Sequence, residues 1–158
     1  MRPRRQLASV LRRVPLVMDF ATWAYRLMQV RSSVGVAGVV INKAGHVLVV
    51  EHVYHARYPW GLPGGWLDRG ESPHVGLRRE CREELGLAVE VVKPVLVERV
   101  TRFAHIDIIY YCRPLGEITA LSAELLRAVW APPGRLPPIS PVQLRGVTAA
   151  VHEHRLED

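Results

Sequence analysis

The stretch from Tyr58 to Leu87 constrains this chain more than any other, because it joins a glycine- and proline-rich loop to a helix marked at both ends. The loop, Tyr58-Pro-Trp-Gly-Leu-Pro-Gly-Gly-Trp66, is extended or looped backbone able to approach a ligand closely. Ser72 suits an N-cap, Pro73 the first helical position, and Gly86 the end of the helix after Leu85. On that helix Glu80, Glu83 and Glu84 stand at i, i+3 and i+4, so three carboxylates project from one face as neighbours. Each such pair costs roughly 0.2 to 0.5 kcal/mol unless something cationic lies between. Taken alone, the interleaved Arg78, Arg79 and Arg82 allow a solvated face in which Arg79 pairs with Glu83. The other reading is a hard-cation site, since clustered carboxylate oxygens suit Mg²⁺ or Mn²⁺.

Around this unit, strand and helix signals alternate. Val34 to Asn42 and Val47 to His52 are largely β-branched and apolar, and Asn42-Lys43-Ala44-Gly45 between them has turn chemistry, which predicts a hairpin. Val89 to Val100 and Ile106 to Cys112 read as strands, Ala123 to Ala128 as a short helical turn, and Val142 to His154 as a terminal helix. The 158 residues allow one compact domain, assigned to residues 33–158. Charged residues make up 23% and apolar ones 49%, which excludes disorder and fibrous repeats. Cys81 and Cys112 are too few for a disulfide framework and read as buried thiols, which suits a reducing cytoplasm. The net charge of +6 favours a polyanionic partner without choosing among a phosphorylated metabolite, RNA and an acidic membrane.

Residues 1–32 stand apart. Arg2, Arg4, Arg5, Arg12 and Arg13 precede an apolar run from Val14 to Tyr25 with helical patterning. The run is shorter than the roughly 20 residues that cross a bilayer, so no integral membrane segment is expected. No small-x-small cleavage site follows it. It reads as an amphipathic helical extension that packs on the domain or a sister subunit, with peripheral membrane binding as the alternative.

The frame that holds the glutamates decides between their two readings. Gly65, five residues, Glu71, seven residues, then Arg79-Glu80-Cys81-Arg82-Glu83-Glu84-Leu85-Gly86-Leu87 matches every fixed position of the Nudix box. The chain therefore resembles the Nudix hydrolase family from about Val34 to its C-terminus. The resemblance implies an α/β fold, an α/β/α sandwich with a mixed β-sheet. It also implies metal-dependent hydrolysis of the phosphoanhydride bond of a nucleoside diphosphate linked to another moiety, such as a nucleoside triphosphate, an ADP-sugar or a dinucleotide.

In such proteins Glu83 and Glu84 hold Mg²⁺ or Mn²⁺, the Gly64 carbonyl is a further ligand, and Glu80 is a ligand or the base that activates water. Glu71 and Arg79 pair and brace the loop against the helix. Gly65 gives the backbone a turn where a side chain would block metal or phosphate. From the residues themselves, Glu124 is a candidate additional metal ligand or base, and an exposed helix glutamate accounts for it equally well. Glu117 is a weaker rival. Trp60, Trp66, Tyr58 and Phe103 offer rings for a base, Arg57 and His55 offer cations to phosphate, and each has a packing or solvated-loop reading beside the functional one. His52 and His105 read as structural or surface residues. The alternatives are a 5′-pyrophosphohydrolase acting on RNA, the less favoured partner, and a Nudix-fold nucleotide-binding regulator without catalysis. A homodimer through the N-terminal helix or the sheet is compatible with the sequence.

Overall fold

The computed structural model describes residues 32–100 and 105–157. Nearly all of the expected N-terminal helical extension, and Phe103, lie outside the described residues. The strands are β1 (Ser33–Val40), β2 (Val47–His52), β3 (Trp60–Gly61), β4 (Gly64–Trp66), β5 (Val89–Val100), β6 (His105–Pro114) and β7 (Leu125–Ala131). Helix α1 (Pro73–Leu85) follows β4, and α2 (Pro141–Glu157) ends the described chain after a 3-10 turn at Pro133–Arg135. One sheet has the order β4-β1-β6-β5 and is mixed, because β1 and β6 run parallel while its other pairs are antiparallel. The second, β3-β2-β7, is antiparallel throughout.

Two expectations are corrected here. Asn42 does shape a tight turn, its Oδ1 accepting the N–H groups of Ala44 and His46 at 3.0 Å. Yet β1 and β2 make no hairpin ladder and meet only at the Ile41–Val47 bridge. A strand has two edges, and those of β1 are taken by β4 and β6, so β2 turns away into the second sheet. The helical turn expected over Ala123–Ala128 is instead the start of β7, which pairs with β2 from Leu125 onward. Helix-forming residues there yield to a ladder that only tertiary structure supplies.

Period-two alternation divides the core between two faces. Val36 and Val40 of β1, with Leu48 and Val50 of β2, pack beneath Leu77, Cys81 and Leu85 of α1. Their neighbours Val39, Ile41, Val47 and Val49 face the other way, with Ile109, Tyr111 and the α2 residues Val147 and Ala150. The two sheets thus form the middle layer of an α/β/α sandwich. Both cysteines are free and buried in the α1 half. Pro94 is tolerated because β5 is an edge strand with register shifts on both sides of it. Among the described residues no helix is long and apolar enough to cross a membrane.

Helix α1 begins and ends where the sequence places it, though by different means at its two ends. Pro73 opens it, but the Ser72 hydroxyl makes no capping bond; only the Ser72 carbonyl accepts, from the N–H groups of Val75 and Gly76. At the far end Gly86 adopts φ 59°, where a Cβ would fall 2.1 Å from Thr119 Oγ1. The last carbonyls of α1 are then taken by the segment entering β7: Thr119 and Ala120 donate to Leu85, and Ser122 donates to Glu84. Leu77, fully buried against Gly38 of β1, carries the packing of α1 on the sheet. Leu77→Ala is expected to lower unfolding free energy by about 2 to 5 kcal/mol in urea denaturation. A loss below about 1 kcal/mol would show that α1 is held some other way.

Candidate functional site

Loop and helix meet at Gly64 and Gly65, which pair with Ala37 and Val36 of β1. Gly64 has φ 145°, and a Cβ there would lie 2.1 Å from the Val36 carbonyl oxygen. Only glycine admits this approach. The unusual backbone therefore belongs to Gly64, whereas the sequence assigned it to Gly65. Gly65 serves differently: its missing Cβ would sit 2.6 Å from Glu80 Oε1, so it makes room for that carboxylate.

Glu80 and Glu84, one turn apart on α1, both reach this strand. The Gly64 N–H donates to Glu84 Oε2 at 3.2 Å. Glu84 is only 7% exposed, and no cationic side chain contacts it among the described residues. Burial, first, and then the charges of Glu80, Glu124 and Glu83 push its carboxyl up to about 7, against the opposing Gly64 hydrogen bond. Glu80 is also raised, chiefly by burial, although Arg79 pulls it down.

Arg79 is the hub of the cluster. Its Nε and Nη2 donate to the two oxygens of Glu71 at 3.1 and 3.0 Å, a bidentate fork that holds the Glu71 carboxyl below its usual range. Nη2 also donates to the Trp66 carbonyl at 3.1 Å, and Nη1 donates to Glu80 at 3.0 Å and Glu83 at 3.1 Å. The Arg79–Glu83 pairing of the solvated-face reading is thus present, inside a larger network. Glu83 is turned toward Arg79 and is 60% exposed, so the trio does not converge on one point. Among the described residues no three His, Cys, Asp or Glu side chains are placed close enough together to hold a metal ion.

Glu124 stands just ahead of β7 rather than on a helical turn. Its carbonyl accepts the Val53 N–H, and the neighbouring Ser122 N–H is tied to the Glu84 carbonyl. The C-terminal capping of α1 therefore brings Glu124 into electrostatic range of Glu84. Glu117 lines a separate cleft with Asn42 and His154. Trp60 packs against the α2-side core with Arg127 over its ring at 5.2 Å, and with Arg57 it lines a cleft of about 450 Å³. Trp66 lines a different cleft of about 210 Å³ together with Gly64 and Gly65.

That smaller cleft also contains His55, expected as a cation for phosphate or a solvated loop residue, His52 and His105, expected as structural or surface residues, and Asp107 and Gln143, which no sequence pattern singles out. They come from β2, the following loop, β6 and α2, and the one local signal is that His105 and Asp107 alternate onto one strand face. His52 is pushed down to about 4 by burial and then by His55, whose ring lies 4.2 Å away.

The raised Glu84 carboxyl has a consequence for stability. Its folded-state value exceeds the unfolded 4.5, so its favourable contribution is complete below about 4.5 and is lost as pH rises through about 7. In EDTA, wild-type stability is expected to fall across that window by on the order of 1 to 3 kcal/mol. Glu84→Gln should flatten the decline and stabilise the protein at pH 8. Equal pH slopes for wild type and variant, read from urea unfolding, would disprove this account of Glu84.

The comparisons with known proteins agree with this layout. Residues 31–150 match the family model described as the NUDIX domain. The chain is similar to a MutT-like protein of Streptomyces ambofaciens, 35% identical over 101 residues, 64% of each chain. It is 32% identical over 107 residues to an 8-oxo-dGDP phosphatase of Mus musculus, covering 65% of this chain and 33% of that one. The chain thus spans between about a third and two thirds of the length of these relatives. In fold it resembles an ADP-ribose pyrophosphatase from Streptococcus suis, with a TM-score of 0.68 and 22% identity over 81% of this chain and 96% of that one. With more than half of its length matched by the family model, the chain belongs to the NUDIX domain family.

Proposed function

We propose that this chain is a divalent-metal-dependent hydrolase that cuts the phosphoanhydride bond of a nucleoside diphosphate linked to another group. The observation that carries the reading is Glu84, a buried carboxylate beside Glu80 and Glu124 whose only neutralising contact among the described residues is a backbone amide. Buried charge of one sign without a cation is costly, and oxygen-only donors suit a hard cation such as Mg²⁺ or Mn²⁺. Glu80, Glu83, Glu84 and the Gly64 carbonyl would hold it, with Glu124 as a further oxygen donor. When bound, such an ion neutralises the diphosphate and lowers the pKa of a water.

The chain's own residues do the rest. Arg79, fixed by the Glu71 fork and the Trp66 carbonyl, ties the loop to α1 and so holds Gly64 and the α1 carboxylates in one arrangement. It also draws the Glu80 and Glu83 carboxylates toward itself, so a cation held by them would compete with the guanidinium for their charge. Glu80 or Glu124 takes the proton from the attacking water, a step worth roughly 10² to 10⁴ in rate. The small cleft beside Gly64 and Trp66 receives the nucleoside end. The mouse relative is an 8-oxo-dGDP phosphatase, which supports a nucleotide substrate for this chain as well.

A second reading, removal of a 5′ diphosphate from RNA, is favoured by one observation. Arg78 and Arg82 stand one turn apart on the outer face of α1, exposed, and make no ion pair among the described residues. Steep salt dependence of oligonucleotide turnover would select it.

The test is hydrolysis of nucleoside di- and triphosphates, ADP-ribose, dinucleoside polyphosphates, nucleotide sugars and 5′-triphosphate RNA, with Mg²⁺ or Mn²⁺ and an EDTA control. Chelator-sensitive turnover is expected. Glu83→Gln should remove it by on the order of 10²-fold or more while leaving the melting temperature near wild type, since that side chain is exposed and hydrogen-bonds only Arg79 among the described residues. Glu71→Gln should cost about 10- to 100-fold through Arg79. Near-full activity in Glu83→Gln would overturn the metal assignment, and silence across the panel with intact metal binding would favour a binding regulator.

A further inference from the structure

The sheet face opposite α1 carries a second cluster that the carboxylate network does not use. Gly35 of β1 lies in register with Trp66 of β4 on one side and with Asp107 of β6 on the other. Residues paired across a sheet point to the same face, so an indole and a carboxylate flank a position without a side chain. His105, two residues before Asp107, shares that face. Its ring is held at both nitrogens, with Nδ1 2.9 Å from Ser33 Oγ and Nε2 2.8 Å from Asp107 Oδ1. A Cβ on Gly35 would come within 3.0 Å of both Asp107 Oδ1 and the His105 ring, so glycine is what lets this pair lie over β1.

Two features of the cluster are left without a use in the fold. The Trp66 ring leans on His105, with centroids 4.5 Å apart, yet the residue stays 63% exposed. Asp107 Oδ2 accepts no hydrogen bond among the described residues, while Oδ1 is fixed by His105. Both border the cleft of about 210 Å³ that runs to Gly64 and Gly65. A carboxylate only accepts hydrogen bonds and repels phosphate, so this end of the cleft suits a neutral ring that carries N–H donors.

We propose that Trp66 and Asp107 select the base of the nucleotide: the indole stacks on it, and Asp107 accepts N–H groups from the Watson–Crick edge of guanine. Guanine presents N1–H and N2–H₂ side by side, whereas adenine and uracil interrupt that edge with acceptors. His105, bonded to Ser33 and Asp107, is a positioning residue that keeps the carboxylate aimed. The inference rests on the hydrolase reading only for the direction in which the phosphates leave the cleft.

Binding of GMP, AMP, UMP and inorganic phosphate to the full chain in EDTA, followed by tryptophan fluorescence, tests it without turnover. GMP is expected to bind about tenfold or more tightly than UMP, the scale set by paired donors meeting a half-buried acceptor. Asp107→Asn should collapse that ratio to near unity while leaving UMP binding and the melting temperature unchanged. Trp66→Phe should weaken both nucleotides and remove most of the quenching. An unchanged GMP-to-UMP ratio in Asp107→Asn, or inorganic phosphate binding as tightly as GMP, would overturn the proposal. Asp107-dependent GMP binding in a protein that hydrolyses nothing would uphold the base site and sink the hydrolase reading. Robust hydrolysis with no preference among bases would do the reverse.

Discussion

The guanidinium of Arg79 is the interaction on which the arrangement of the site depends. It reaches a loop carboxylate, a loop carbonyl and two helix carboxylates at once, joining Glu71 and Trp66 to Glu80 and Glu83. Arginine suits this position because its planar fork donates in several fixed directions and stays charged. Without it, the α1 carboxylates would repel one another, and the loop would be tied to the helix beneath it only by the Gly64 N–H on Glu84 among the described residues. Glu84 escapes this compensation. It lies deeper, receives a single backbone N–H, and keeps a carboxyl that resists ionisation.

The glycines decide how closely these parts approach. Gly64 lets β4 lie against β1, Gly65 admits the Glu80 carboxylate, and Gly76 lets α1 pass Leu67 and Glu71, where a Cβ would fall 2.4 Å from a leucine methyl. The loop is therefore wedged between the sheet and the helix. Rigid elements on either side of a tightly packed loop hold functional groups more precisely than a free loop could. The C-terminus of α1 is held in the same way by the segment that carries Glu124 into β7.

Much of the carboxylate half of the site was legible in the sequence because it is local. A helix fixes the relation among Arg79, Glu80, Glu83 and Glu84 to within one turn, and a short loop joins it to Gly64 and Glu71. The cleft half was not. His52, His55, His105, Asp107 and Gln143 are scattered over more than ninety residues and meet only through strand pairing and the packing of the loop after β2 and of α2. The Ala123–Ala128 segment departs from its helical expectation for a related reason: a short run of helix-forming residues takes its conformation from its partner, here β2.

The sequence by itself determined the helix, its two ends, the order of its charges and the family to which they point, because each of these follows from spacing along one element. Tertiary structure alone decided that β1 spends both edges on β4 and β6, which sends β2 into a second sheet. It also decided that Gly64 rather than Gly65 takes the unusual backbone, and that Trp66, Gly35 and Asp107 stand in one row. The physical reason is that hydrogen-bonded register and burial are properties of pairs distant in sequence. No local pattern encodes which distant strand will be the partner.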